Sequence, residues 1–220
     1  MTTEKRLEEL YSMLYAYDTI SGNNAAAEII KAPETWTECK FNPFYGSVSR
    51  LILECKAELD KKTNGNVSAV KRFYKSCVKN GNRNTNGIIK TADGMNALCN
   101  GYSIIKFNGN YNSIPESECT PDFRKNVEKF LQFPDDLTEI KAATNAEVKS
   151  MKAGNIAKYG KGNKKPVEVS KNIFVNPDTW IDIKSILRDC KVYIDPEQKY
   201  SPIYFIGSDG EKAMLLQVKP

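Results

Sequence analysis

A chain of 220 residues with 40% hydrophobic and 27% charged side chains has the balance of a globular protein and can bury one large core or two small ones; we expect two modules. It contains no histidine, which excludes a nucleophile activated by histidine and a mixed cysteine–histidine zinc site. The formal charge of +5 is uneven, because residues 141–171 carry eight lysines against two glutamates, a local +6 that leaves the remainder at −1. Such a stretch marks contact with a polyanion, or else a solvated lysine-rich loop.

The chain opens MTTEKRLEELYSMLYAY, with charge in its first turns and without the apolar run and cleavage site of a secretory signal. No window approaches the roughly 18 uninterrupted apolar residues of a membrane span. We therefore expect a cytoplasmic protein without a membrane partner. Cys39, Cys55, Cys77, Cys99, Cys119 and Cys190 are scattered singly, with no CxxC pair, and read as reduced, mostly buried small hydrophobes.

Leu7, Leu10, Tyr11, Leu14 and Tyr17 recur at three- and four-residue steps, which predicts an opening helix broken at Ser21-Gly22-Asn23-Asn24. A second helix is expected after Asn42-Pro43, burying Val48, Leu51, Ile52, Cys55 and Leu59 and ending before Gly65, with proline and glycine at the termini that favour them. Asn66 to Lys79 predicts a third, with Val70, Phe73, Tyr74 and Cys77 inward, followed by a turn over Asn80-Gly81-Asn82-Arg83-Asn84. Three strand-like runs follow, Gly87 to Thr91, Met95 to Cys99 and Tyr102 to Phe107, joined through Asp93-Gly94 and Asn100-Gly101. Both dipeptides are hairpin signals, because they tolerate positive φ at two successive positions.

Thr120 predicts the cap of a helix from Pro121 with Phe123, Val127, Phe130 and Leu131 on its apolar face. A further helix is expected from Pro134 to Met151, closed by Gly154, with Asp135, Asp136 and Glu139 in or near its acidic first turn rather than forming a metal site. Lys158 to Pro166 reads as an exposed loop, and Val167, Val169, Ile173 and Val175 as a strand. Asn176-Pro177 then opens a helix with Trp180, Ile183, Ile186 and Leu187 inward, and strands are expected at Lys191 to Ile194, Ile203 to Ile206 and Ala213 to Val218, the last two joined at Asp209-Gly210. A helix followed by strands and a DG hairpin thus occurs twice, the kind of internal similarity that marks a repeat. The expected division is a helical segment over 1–65, one repeat over 66–115, a helical connection and basic loop over 116–166, and a second repeat over 167–220.

The segment VEVSKNIFVNPDTWIDIKSILRDCKVYIDPEQKYSPIYFIGSDGEKAMLLQVKP resembles the last strand, helix and three strands of DNA sliding clamps, the bacterial polymerase III beta subunit and its short phage-encoded relatives. GIIKTADGMNALCNGYSIIKF is similar to the corresponding strands of an earlier repeat. The resemblance implies an α+β fold in which two α-βββ repeats form an antiparallel sheet with their helices on one face, preceded here by a helical segment without a counterpart. A full clamp chain is longer, and Gln217 stands where a proline is common near the clamp C-terminus.

In clamps the helical face meets DNA through phosphates, which gives affinity without sequence readout. The residues this implies are Lys71, Arg72, Lys75 and Lys79 on the first repeat helix and Lys184 and Arg188 on the second; the basic segment adds Lys158, Tyr159, Lys161, Lys164 and Lys165. Tyr159, like Tyr102, Tyr111 and Tyr200, could stack on bases. Gly160-Lys161-Gly162-Asn163-Lys164 lacks the spacing and the Lys-Ser/Thr pair of a phosphate loop, and there is no Gly-x-Ser-x-Gly elbow. We expect no cofactor, no metal and no catalysis. The expected function is that of a clamp-like binding protein of a phage or mobile element in a bacterial cytoplasm, engaging DNA or a DNA/RNA-handling protein, with a homo-oligomer left open. The alternatives are a protein–protein inhibitor of a host defence or replication factor, and an unrecognised enzyme.

Overall fold

A computed structural model describes residues 2–79, 83–198 and 200–219. The chain divides into two compact units, one of residues 1–67 with 109–115, the other of 68–108 with 116–220.

The first unit is helical. Helix α1 (Thr3–Ser21) is capped by Thr2 and stopped at Gly22, whose φ of 72° suits a residue without Cβ. A short α2 (Ala26–Lys31) and a 3-10 turn (Pro33–Trp36) lead to α3 (Pro43–Thr63), which Asn42 caps by accepting from the Phe44 amide. Leu10, Leu14, Ile29, Val48, Ile52 and Cys55 form the core. Two buried aspartates tie it together. Asp18 accepts from the Ala26 amide at 2.7 Å and from the Tyr45 hydroxyl; burial raises its pKa, but these bonds outweigh that and hold it below the usual range. Asp60, fully buried, accepts from the Asn112 amide at 2.6 Å and the Ser113 amide at 3.0 Å, which fastens 109–115 to this unit. Helix α2 was not among the expected elements; the Asp18 contact holds its first residue, and Ile29 anchors it in this core.

The second unit is built on the repeats. Helix α4 (Val67–Val78) leads to β1 (Ile89–Lys90), β2 (Asn96–Cys99) and β3 (Ser103–Phe107); α7 (Pro177–Ile186) leads to β7 (Lys191–Ile194), β8 (Ile203–Ile206) and β9 (Lys212–Leu215). Between them lie α5 (Pro121–Phe130), β4 (Thr138–Glu139), α6 (Asn145–Tyr159) and a hairpin of β5 (Val167–Ser170) and β6 (Ile173–Val175). The main sheet is antiparallel throughout, in the order β1-β2-β3-β9-β8-β7-β4. Its first six strands read alike from either end, and the repeats join through their third strands, with Ile104 opposite Met214. The fold is therefore α+β, with two α-βββ units sharing one sheet.

Residues alternate between the two faces of that sheet. On one, Trp180 of α7 meets Phe205 of β8 edge to face at 5.2 Å, and Arg72 of α4 pairs with Asp182 of α7 at 2.8 Å. On the other, Ile104, Tyr204 and Met214 pack with Val127 and Leu131 at the end of α5. The repeat helices thus share one face and α5 covers part of the opposite one. Both sheet edges are short; β4 covers β7, and Ser117 donates to the Ile88 carbonyl beside β1, which protects the edges from further pairing.

Several expectations need correction. Residues 134–144 are not helical: β4 pairs with β7, Glu139 meets Lys191 at 3.1 Å, and α6 starts at a Thr144–Glu147 capping box and runs through Gly154. Lys158 and Tyr159 end this helix rather than lying in a loop. Val167 to Val175 form a hairpin instead of one strand, with Asn172 at φ 60° in the turn. Phe130, on the expected apolar face of its helix, is 56% exposed. Asp209 and Gly210 both take positive φ, as a type I′ hairpin turn requires, whereas at Asp93-Gly94 and at Asn100-Gly101 only the glycine does. The turn expected at Asn80-Gly81-Asn82 lies outside the described residues. All six cysteines are free thiols. No helix among the described residues is long and apolar enough to cross a membrane.

Candidate polyanion interface

A cleft of about 700 Å3 opens between α4, α6 and α7. Helical periodicity explains its lining. On α4 and the residue just past its end, Arg72, Lys75, Ser76 and Lys79 fall at three- and four-residue steps; on α6, Lys149, Lys152 and Ile156 do the same; on α7, Asp178, Asp182 and Ser185 do. The Thr144–Glu147 box and the Asn176 cap, which accepts from the amides of Asp178 and Thr179, fix where α6 and α7 begin and hence which residues face the cleft.

Five cations and two carboxylates line the cleft, a surplus of three positive charges. Arg72 binds Asp182 and Lys152 binds Asp178. Lys75, Lys79 and Lys149 have no carboxylate partner among the described residues. Asp182 is 8% exposed; burial pushes its carboxyl above the usual range although the Arg72 guanidinium pulls it down. Three uncompensated ammonium groups in a concavity focus positive potential on whatever enters it.

One end of α6 carries a second basic feature. Tyr159, 49% exposed, has the ammonium groups of Lys158 and Lys165 each 5.1 Å from its ring centre. A hydrogen bond from Lys158 and then its charge outweigh the opposing effect of burial and, with a lesser contribution from Lys165, hold its phenol below the usual value. The loop beyond is braced by Asn163, which donates to the carbonyls of Asn155 and Gly160 and accepts from the Lys165 amide.

Of the residues expected to contact a partner, the structure brings Arg72, Lys75 and Lys79 together in the cleft. Lys158, Tyr159 and Lys165 form the cluster at the end of α6, and Lys161 and Lys164 are exposed in the following loop. Lys71 and Lys184 are half-buried, Arg188 is exposed just beyond α7, and none of these three lines the cleft. Tyr102 and Tyr200 are exposed on other parts of this unit, while Tyr111 is buried in the helical unit and donates to Asn66. Lys149 and Lys152 lie in the basic stretch 141–171 expected to meet a polyanion, but not among the individually named contacts; the two aspartates of α7 were not foreseen, although the i, i+4 spacing of Asp178 and Asp182 was available as a signal. Among the described residues no cluster of acidic or cysteine side chains could hold a metal ion. No family model, curated protein or solved structure matches the chain.

Proposed function

We propose that this protein is a non-catalytic, clamp-like binding module that engages the phosphate backbone of DNA through the cleft between α4, α6 and α7. The observation that carries the reading is the convergence of Lys75, Lys79 and Lys149, uncompensated, on one concavity beside the paired repeat helices. Support comes also from the joined α-βββ repeats, the arrangement that the clamp resemblance implies. Contacts of this kind position a backbone and read no sequence.

Three phosphates neutralised correspond to a salt slope of about −2.7, so affinity falls roughly 40-fold between 50 and 200 mM salt. The test is a salt titration of DNA binding by the wild type, by Lys75→Gln/Lys79→Gln/Lys149→Gln, and by Lys158→Gln/Lys161→Gln/Lys164→Gln/Lys165→Gln. The cleft variant is expected to lose about 2.7 from the slope. A loss confined to the other variant moves the contact to the end of α6. No binding by the wild type to any nucleic acid at low salt contradicts the proposal and favours a protein partner.

A further inference from the structure

We infer that the cleft takes a nucleotide unit, a phosphate joined to a flat heterocyclic base, so that its preferred ligand is an unpaired nucleotide rather than the backbone of a duplex. This rests on the polyanion reading above. A surface that only follows a phosphate backbone needs cations and no depth. This cleft has both. Its volume lies within the roughly 300–1,000 Å3 usual for small-molecule sites.

Its lining divides by chemistry. Ala153, Ile156 and Ile181 offer apolar surface, while Lys75, Lys79 and Lys149 supply the cations for phosphate. The carboxylates of Asp178 and Asp182 stand in the same cleft, where they oppose an incoming phosphate by like-charge repulsion. They have a use if the ligand also brings N–H donors, as the edges of nucleobases do. A paired, stacked base cannot present its flat face and its pairing edge to such a cavity; an unpaired one can. Tyr159 lies one turn beyond Ile156 on the same side of α6 and is half-exposed, which leaves a ring for a neighbouring base.

The experiment measures binding of an oligothymidine, an abasic strand of equal length and charge, and a duplex, all at one salt concentration, to the wild type and to Ala153→Trp. Ala153 is exposed on α6, so the indole fills the cleft without entering the core. Burying one base face corresponds to about tenfold tighter binding of oligothymidine than of the abasic strand or the duplex. Ala153→Trp is expected to lower oligothymidine binding about tenfold, to the level of the abasic strand on the wild type. Thymidine monophosphate that displaces the strand from the wild type and not from the variant supports the same chemistry. If it does so as well as the strand, per nucleotide, the source is free nucleotide; if only weakly, the source is the strand. Equal affinity for base-bearing and abasic strands overturns this inference and leaves the polyanion reading intact. Failure of the wild type to bind any of the ligands overturns both.

Discussion

The helices α4 and α7 hold corresponding places in the two repeats and pack on the same face of the shared sheet, yet they meet the cleft with opposite charge. Helix α4 brings Arg72, Lys75 and Lys79; α7 brings Asp178 and Asp182. Their buried faces agree: Phe73 in one and Trp180 in the other are almost wholly buried. The apolar pattern sets the repeat, and the polar faces are free to diverge. A repeat whose helices were both basic would repel itself at the seam, whereas Arg72 and Asp182 join it. The cost is that part of the cationic surface is neutralised from within.

The largest effect expected from breaking this comparison is in the cores. Phe73→Ala and Trp180→Ala should each destabilise the second unit by about 3–5 kcal/mol, read by chemical denaturation. Because the buried Trp180 Nε1 has no hydrogen-bond partner among the described residues, Trp180→Phe loses volume but no hydrogen bond and should cost clearly less than Trp180→Ala. A cost for Trp180→Phe equal to that of the alanine variant would show that the indole nitrogen matters and that the two cores are unlike.

The turns give a smaller effect. Gly94 and Gly210 both have φ near 80°, so alanine at either should cost about 1 kcal/mol. The preceding aspartates differ. Asp209 sits at φ 50°, and Asp209→Gly should be neutral or slightly stabilising in the same denaturation assay. Asp93 bonds Lys106 and Thr91 instead, and Asp93→Gly should destabilise. Like signs for the two substitutions would remove the distinction between the turns.

The smallest effect is the pH response of the first turn. The bond from Lys106, then that from Thr91, hold the Asp93 carboxyl at about 2, against an ordinary value near 3.8. Its folded pKa is depressed, so the contribution is present above about 4 and is lost as pH falls towards 2. Amide exchange at Gly94, which donates to the Thr91 carbonyl, should accelerate relative to the intrinsic rate across that window in the wild type and not in Asp93→Asn. A flat ratio in the wild type would contradict the assignment.

Much of the fold was legible because apolar periodicity and end signals agreed. Asn42-Pro43, Thr120-Pro121 and Asn176-Pro177 start the helices they were expected to start. The failure over 134–144 has a physical source: Pro134-Asp135-Asp136 imitates an acidic helix start, while β4 has two residues and exists through pairing with β7. The Thr144–Glu147 box was the stronger signal. The cations of α4 could be read from sequence, but that Lys149 and Lys152 face them follows only from the packing of α6 beside α7. Lys184 and Arg188 were grouped with α4 by analogy between repeats, and the faces of the two helices do not correspond in that respect.

The most direct test of the cleft uses the opposite charges of its two helices. In one salt titration with an abasic single strand of DNA, Lys75→Gln removes a cation from α4, and Asp178→Asn releases Lys152 from its internal partner. The account predicts changes of opposite sign: the slope of log affinity against log salt becomes shallower by about 0.7 for Lys75→Gln and steeper by about 0.7 for Asp178→Asn, with affinity at low salt falling in the first and rising in the second. Slopes and affinities that stay at the wild-type value in both variants, or move in the same direction, would contradict it.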